Sequence, residues 1–222
     1  MSLTVVPRTA VEGQRGCEPV SLDHLRLVIG GLVSQVRPVD AQERADQAAI
    51  GDWIESWLPL FRTAPPATPP KHLVSYFVPL DAAGRSVLLG DHVKSGLWLP
   101  PGGHVEEGED PRVTVERETR EELGLPASFH PRVGAREPFF LTANPTRGEH
   151  SHVDVSMWFV LDCGRDAELR PDPREFRSVR WYNIDEQLEW PADTFDPQMT
   201  RFIRKLKAAL PRDPLHARSS TP

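Results

Sequence analysis

Gly102-Gly103-His104-Val105-Glu106-Glu107-Gly108-Glu109-Asp110-Pro111 leads, five residues on, into Arg117-Glu118-Thr119-Arg120-Glu121-Glu122-Leu123-Gly124-Leu125, and the reading of this stretch decides the fold. Asp110 stands where a helix cap is expected. Pro111 follows at the first helical position, where no N–H is needed, and Gly124 can take the left-handed conformation that closes a last turn. These signals bracket a helix of about three and a half turns. At roughly 3.6 residues per turn, Glu118, Glu121 and Glu122 share one face. Val115, Thr119 and Leu123 form an adjacent face able to pack on a sheet.

Three carboxylates on one patch repel, at about 0.2–0.5 kcal/mol per like-charged neighbour on an exposed helix and more when partly buried. Two of them sit in the last turn, where the helix dipole disfavours negative charge. The simplest compensation is a hard divalent cation, Mg2+ or Mn2+, which takes carboxylate and carbonyl oxygens. Gly102 and Gly103 permit unusual backbone angles and close approach, so a carbonyl there can add a ligand. Arg117 is placed to tie the loop acid Glu109 back to the helix. An acidic helix end by itself reads as a solvated face; it is the wider pattern that separates the two readings.

That pattern is Gly103, five residues, Glu109, seven residues, Arg117-Glu118, two residues, Glu121-Glu122, one residue, Gly124-Leu125. It resembles the signature of the Nudix hydrolase family at every fixed position. Seven identities at fixed spacing arise by chance in about one in a million chains of this size. Thr119 stands where the family usually has an aliphatic residue, a small departure that keeps the branched shape. The resemblance implies a Nudix fold, an α/β/α sandwich with a mixed β-sheet, whose loop–helix–loop holds catalytic metal. It implies hydrolysis of a nucleoside diphosphate linked to another moiety, with Mg2+ (or Mn2+) bridging the diphosphate and activating water. Carried over by position, Glu121 and Glu122 are metal ligands, Glu118 is a ligand or the water-orienting base, and the Gly103 carbonyl is a further ligand. Glu109 and Arg117 support the loop and helix. Some members place the base or an extra ligand outside this segment. Glu175, in a loop before a strand, and Asp154, mid-strand, are the candidates here, against plain readings as a loop acid and a hydrogen-bonded buried acid.

Outward from this segment the chain falls into three stretches. Residues 1–70 read as an N-terminal helical extension with a Pro-rich linker. Ser21 caps a helix carrying Leu25, Val28, Leu32 and Val36, and Pro38 ends it. Asp40 caps a second, with Glu43 in the capping-box place and a stripe of Ala49, Trp53, Ile54 and Trp57. Ala64-Pro65-Pro66-Ala67-Thr68-Pro69-Pro70 reads as a stiff extended linker. Residues 71–210 read as the Nudix domain, with strands expected at 73–80, 86–89, 137–142, 152–161 and 177–182. A last helix is expected from Asp196-Pro197, buried through Met199, Phe202, Ile203, Leu206 and Leu210. Residues 211–222 read as a disordered tail.

Several side chains carry two readings. His104 touches substrate or lies exposed. Trp98 stacks on a base or packs in the core. Phe139, Phe140 and Thr142 line the substrate cleft or the core, and Phe140 and Asp154 join His104 and Trp98 as the substrate-binding set. His150 and His152, two apart, have a spacing able to bind metal, but with no cysteine or further cluster in sequence a loop pair or a phosphate contact is preferred to zinc. Arg204, Lys205 and Lys207 answer a helix dipole. Trp53 and Trp57 pack on the parent domain, cap the cleft or form a dimer contact, the first being preferred.

Composition narrows the classes further. The 222 residues are 39% hydrophobic and 26% charged with a net charge of -6. That balance supports a sizeable core and argues against general disorder. It also argues mildly against a nucleic acid polymer as partner, which calls for a basic face. No apolar run reaches the roughly 18 residues of a membrane span, and Met1–Gly16 has no secretory apolar segment. Cys17 and Cys163 form no C-x-x-C pair, so two free thiols in a reducing cytoplasm is the expectation. Arg outnumbers Lys, which occurs only at 71, 94, 205 and 207, and this bias points to a GC-rich bacterial genome. The partner expected is a small-molecule nucleoside diphosphate derivative, with no membrane and with a homodimer left open. Two other functions compete: a Nudix-like binding or regulatory module that does not cleave, and isomerisation of an isoprenyl diphosphate. The first has no need of three repelling carboxylates. The second has no cysteine near the acidic segment.

Overall fold

The computed structural model describes residues 21–64, 68–83, 85–146, 151–187 and 189–210. In chain order these form α1 (Leu22–Gln35), α2 (Ala41–Glu55), β1 (Lys71–Asp81), β2 (Ser86–His92), β3 (Trp98–Leu99), β4 (Gly102–His104), α3 (Pro111–Leu123), β5 (Phe140–Pro145), β6 (Val153–Asp162), β7 (Phe176–Asn183) and α4 (Met199–Ala209). The strands make one sheet in the order β3-β2-β1-β6-β5, with β4 also paired to β1 and β7 to β2. β1 and β6 run parallel and the other pairs antiparallel, so the sheet is mixed.

Alternation along the two central strands builds the layers, because successive side chains point to opposite faces. Leu73 and Phe77 of β1 and Val155, Met157, Phe159 and Leu161 of β6 join one core with Val115 and Leu123 of α3 and the apolar faces of α1 and α2. Val78, Leu80, Trp158 and Val160 join the other, with Phe202, Ile203 and Leu206 of α4. The result is the expected α/β/α sandwich. It also explains why both faces of β6 are apolar: the strand is covered on each side.

The N-terminal helices are built into this core. Ser21 accepts a hydrogen bond from His24 N (3.2 Å), and Asp40 from Glu43 N (2.8 Å). Glu43 in turn accepts from Val39 N (2.8 Å), one residue earlier than a strict capping box requires. Leu73 N donates to Leu60 O (2.8 Å), joining the extension to β1. Trp53 packs inside beneath the Lys71 ammonium, 4.6 Å from its ring centroid. Trp57 does not: α2 ends at Glu55, and Trp57 takes a positive φ of 60° and stands 67% exposed.

Three sequence expectations are corrected. The linker expected at Ala64–Pro70 is not a straight run, since Ala64 and Thr68 pair antiparallel and Thr63 N donates to Thr68 O (2.8 Å), while 65–67 lie outside the described residues. The strand expected at 137–142 runs from Phe140 to Pro145, because Glu137 is held in a turn by its N–H bond to Gly134 O (2.9 Å) and Pro138 has no N–H to pair. The last helix starts at Met199 rather than Asp196. Asp196 accepts from Gln198 N (2.8 Å) in a turn that precedes it. The expectations for Met1–Gly16, Cys17, His150 and the tail at 211–222 lie outside the described residues. Cys163 forms no disulfide among the described residues. No helix among the described residues is long and apolar enough to cross a membrane.

Ion pairs lock α2 and its cap Asp40 to α4. Lys205 Nζ lies 2.5 Å from Glu43 Oε1, with the Glu43 side chain fully buried and that of Lys205 9% exposed. Burial pushes the lysine down while Glu43 holds it up. Breaking a buried pair strands one charge, which costs about 3–5 kcal/mol. Lys205→Met is therefore expected to lower the urea midpoint sharply, and Glu43→Gln combined with it to recover most of the loss. Equal losses in the single and double variants would contradict this.

Asp40 meets Arg201 (2.8 Å) and Arg204 (2.6 Å). The hydrogen bond from Arg201 holds its carboxyl well below the usual range, against the opposing effect of burial. A depressed carboxylate gives stability that is complete above its unfolded value and lost as pH falls through the folded one. Stability should therefore drop below about pH 4, with a shallower acid slope in Asp40→Asn, read by denaturation across pH.

Candidate active site

The capping signals place α3 as read. Asp110 accepts from Arg112 N (2.9 Å), Pro111 opens the helix, and Gly124 closes it at φ 70°. Leu125 N returns to Thr119 O (3.3 Å), the bond of a Schellman-type end. The Thr119 hydroxyl donates to Val115 O (2.6 Å), so a threonine fills an apolar place without an orphaned group.

α3 delivers Glu118 and Glu122 to Gly102 and Gly103 of β4. Glu122, 6% exposed, accepts from Gly102 N (2.8 Å). Gly102 has φ 148°, and a Cβ there would strike the Ser75 carbonyl and the Tyr76 backbone. A Cβ at Gly103 would instead overlap the Glu118 carboxylate. The two glycines thus serve different ends. Gly103→Ala is expected to keep the fold, because a flexible carboxylate can move aside, while displacing Glu118 and lowering turnover. Gly102→Ala meets backbone and is expected to lower the melting temperature as well. Melting curves and steady-state rates on both variants check the contrast.

Arg117 organises the segment. It donates to Glu109 Oε1 (3.1 Å) and Oε2 (3.0 Å), to Glu118 Oε1 (2.6 Å) and to the His104 carbonyl (3.3 Å), and lies 3.5 Å from Glu121. Glu109 also takes the Thr114 hydroxyl (2.7 Å) and Glu106 N (3.2 Å). Burial raises Glu109, but these bonds outweigh it and keep it ionised below its ordinary value. Glu122 goes the other way. Burial first, then the Glu118 charge, pushes its carboxyl up to about 9. Glu118 is raised by burial against the pull of Arg117. Glu121 is more than half exposed.

Glu175 is brought to this end of α3, where its charge is felt by Glu122. It pairs with Lys94 (3.3 Å) and His92 (3.5 Å). Asp172, not singled out in sequence, reaches the same place: its N–H donates to Glu122 O (2.9 Å). Nothing local marks Asp172 or Lys94, because only the crossing of distant loops puts them there.

The remaining expectations divide. Phe140 is fully buried against Trp158 and Phe202 (5.5 and 6.0 Å between ring centroids). With no exposed surface it is a core residue and not a substrate contact. Trp98, half-buried at the edge strand, packs edge-on to Tyr182 (5.5 Å). Asp154 and His104 converge with His72 and His152 rather than standing alone. Burial, and the positive charge of Arg62 near it, hold the His104 imidazole down to about 3.

The NUDIX domain model matches residues 70–206, and the chain belongs to that family. It is similar to the bis(5'-nucleosyl)-tetraphosphatase [asymmetrical] of Sus scrofa, 36% identical over 92 residues, which are 41% of this chain and 59% of that protein. It also resembles the CTP pyrophosphohydrolase of Escherichia coli (strain K12), 28% identical over 120 residues, 54% of this chain and 80% of that one. The chain thus spans less than two thirds of the pig relative. Among solved structures, the MutT protein of Methanosarcina mazei Go1 shares the fold with a TM-score of 0.50 and 18% identity, covering 63% of this chain and 94% of that chain.

Proposed function

We propose that the protein is a divalent-metal-dependent pyrophosphohydrolase that cleaves a phosphoanhydride bond in a nucleoside diphosphate linked to another moiety. The observation that carries this reading is the gathering of Glu118 and Glu122 against Gly102 and Gly103 of β4, with Glu121 on the same helix end. Family membership and the pyrophosphate-cleaving activities named for the relatives support it. A divalent cation suits these residues. They offer hard oxygen donors, and Glu122 is buried close enough to Glu118 that burial first, then the Glu118 charge, pushes its carboxyl up to about 9.

Glu118, Glu121, Glu122 and the Gly103 carbonyl would hold Mg2+ (or Mn2+). Bound there, the ion would polarise the diphosphate and acidify a water. The protein's own part is positioning and charge placement. Arg117 holds Glu109, Glu118 and the His104 carbonyl in one frame, fixing loop against helix. Glu175, beside Glu122 and restrained by Lys94, is the base or an added ligand. Lys94, 73% exposed, offers a cation to the phosphates. Trp98 is the stacking surface for a base. The net charge of -6 favours a small nucleotide derivative over a nucleic acid polymer.

The test is a phosphate- and nucleotide-release panel run with Mg2+ and with Mn2+. It spans nucleoside triphosphates, dinucleoside polyphosphates, nucleotide sugars, ADP-ribose and dinucleotide cofactors. Metal-dependent turnover of one class is expected. Tight nucleotide binding with no product from any class would overturn the reading in favour of a sensor.

A further inference from the structure

Three histidines and one aspartate meet at the sheet end beside the acidic segment. His72 lies on β1, His104 ends β4, His152 precedes β6 and Asp154 lies on β6. Strand register makes the cluster: His72 stands opposite Asp154 in the parallel β1–β6 pair, and His104 opposite Val74 in the β1–β4 pair. One potential ligand atom from each residue lies within 4.8 Å of all the others. The rings of His72 and His152 stack at 4.7 Å, and those of His72 and His104 lie 4.8 Å apart.

The hydrogen bonding shows which ring atoms face inward. His72 is fully buried, and its Nδ1 lies 2.8 Å from the Pro69 carbonyl. A carbonyl only accepts, so Nδ1 carries a proton, and in the neutral ring the Nε2 lone pair points into the cluster. His152 Nδ1 is bonded to the Thr146 hydroxyl (3.2 Å). Such an outer bond on the far ring nitrogen is the usual support of a metal-bound histidine. His72 Nε2, His104 Nε2 and Asp154 Oδ1 are buried without a hydrogen-bond partner among the described residues. Yet Asp154 Oδ1 lies 3.4 Å from His72 Nε2 and 3.2 Å from His152 Nε2. In the neutral ring, the His72 lone pair turned on a carboxylate oxygen is repulsive unless a proton or a metal ion lies between them. For tetrahedral zinc with bonds of about 2.0–2.1 Å, neighbouring ligand atoms stand roughly 3.3 Å apart, which matches the two separations.

We infer that His72, His104, His152 and Asp154 form a second metal site, distinct from the glutamate cluster and selective for an imidazole-preferring transition dication such as Zn2+. Three imidazoles and one carboxylate suit that class and not Mg2+. Asp154 supplies negative charge against the nearby Arg62. Four protein ligands leave no open position, so the role is structural. The ion staples β4 to β1 and β6. His104 follows Gly103 directly and gives its carbonyl to Arg117, so the staple also sets the loop that faces Glu118. This inference does not depend on the hydrolase reading, and a silent substrate panel would leave it standing.

The test is a Co2+ titration of the full chain, stripped of metal by a chelator and kept in excess Mg2+, followed by visible absorption. One Co2+ per chain with the intense bands of a four-coordinate site is expected. Zn2+ should displace it and raise the melting temperature. Glu121→Gln should leave the bands unchanged. Asp154→Asn, near-isosteric at a part-exposed position, should weaken binding at least about tenfold, and His72→Gln with His152→Gln should abolish it. Circular dichroism reports whether each variant folds, and Asp154→Asn carries the test if the buried His72 variant does not. Absence of the bands in the folded wild-type protein, or their equal loss in Glu121→Gln, would overturn the inference.

Discussion

Glu122→Gln and Glu121→Gln are each expected to lower turnover by about a hundredfold or more, with the fold intact. The two positions differ in a way that sharpens the expectation. Glu121 is more than half exposed, so an amide there has nothing to disrupt. Glu122 is buried beside Glu118, and its carboxyl is pushed up to about 9. A neutral isostere removes the cost of burying and protonating that carboxylate in the metal-free fold, while its amide oxygen still accepts from Gly102 N. The metal-free Glu122→Gln protein should therefore melt at or above the wild-type temperature even as its activity falls. Stability given up for an acidic cluster is the mark of a site kept for chemistry. Rates and metal-free melting curves on the two variants check it. A Glu122→Gln protein that is both fully active and unchanged in stability would remove these residues from the proposed machinery.

Removal of residues 1–67 is expected to leave a chain that does not fold as a soluble monomer. Leu25, Ile29, Leu32, Val33, Ile50, Trp53 and Ile54 are all buried, in the same core as Leu73, Phe77, Leu141 and Val155 of the sheet. Each such side chain contributes about 1.5–3 kcal/mol on burial, against a net stability of roughly 5–15 kcal/mol for a whole domain. The cut also strands Lys205, whose partner Glu43 leaves with α2, and frees Arg201 and Arg204 from Asp40. Size-exclusion chromatography and circular dichroism on the truncated chain decide this. A monodisperse monomer with a cooperative melt would show that the helices are a dispensable attachment.

What was legible in the sequence follows the range of the interactions. The acidic helix was readable to its ends because its caps are local: Asp110, Pro111 and Gly124 act within one turn of where they stand. Glu109 and Arg117 were readable as a pair because they share one short loop–helix segment. The cap residues Ser21 and Asp40 were readable for the same reason. Elements set by long-range pairing were not. β3 and β4 are two and three residues long and carry no periodicity, existing only because β2 and β1 lie beside them. Phe140 reads equally as cleft or core in the sequence, and the packing of α4 over it makes it core. The histidine cluster is not legible in the sequence, where His152 pairs with His150 and reads as a loop pair or phosphate contact. His152 and Asp154 lie close in sequence, but His72 joins them only through the parallel register of β1 and β6.

The most direct measurement is phosphorus NMR of a nucleoside diphosphate derivative incubated with the full chain in heavy-oxygen water, with Mg2+ present and then chelated. Glu121→Gln serves as the paired control. Cleavage of the phosphoanhydride by the wild-type protein, with heavy oxygen entering one phosphate product and both metal removal and Glu121→Gln stopping it, is the predicted result. Cleavage that persists at the wild-type rate in Glu121→Gln, or a wild-type protein that binds the nucleotide and returns it uncut, would contradict the account.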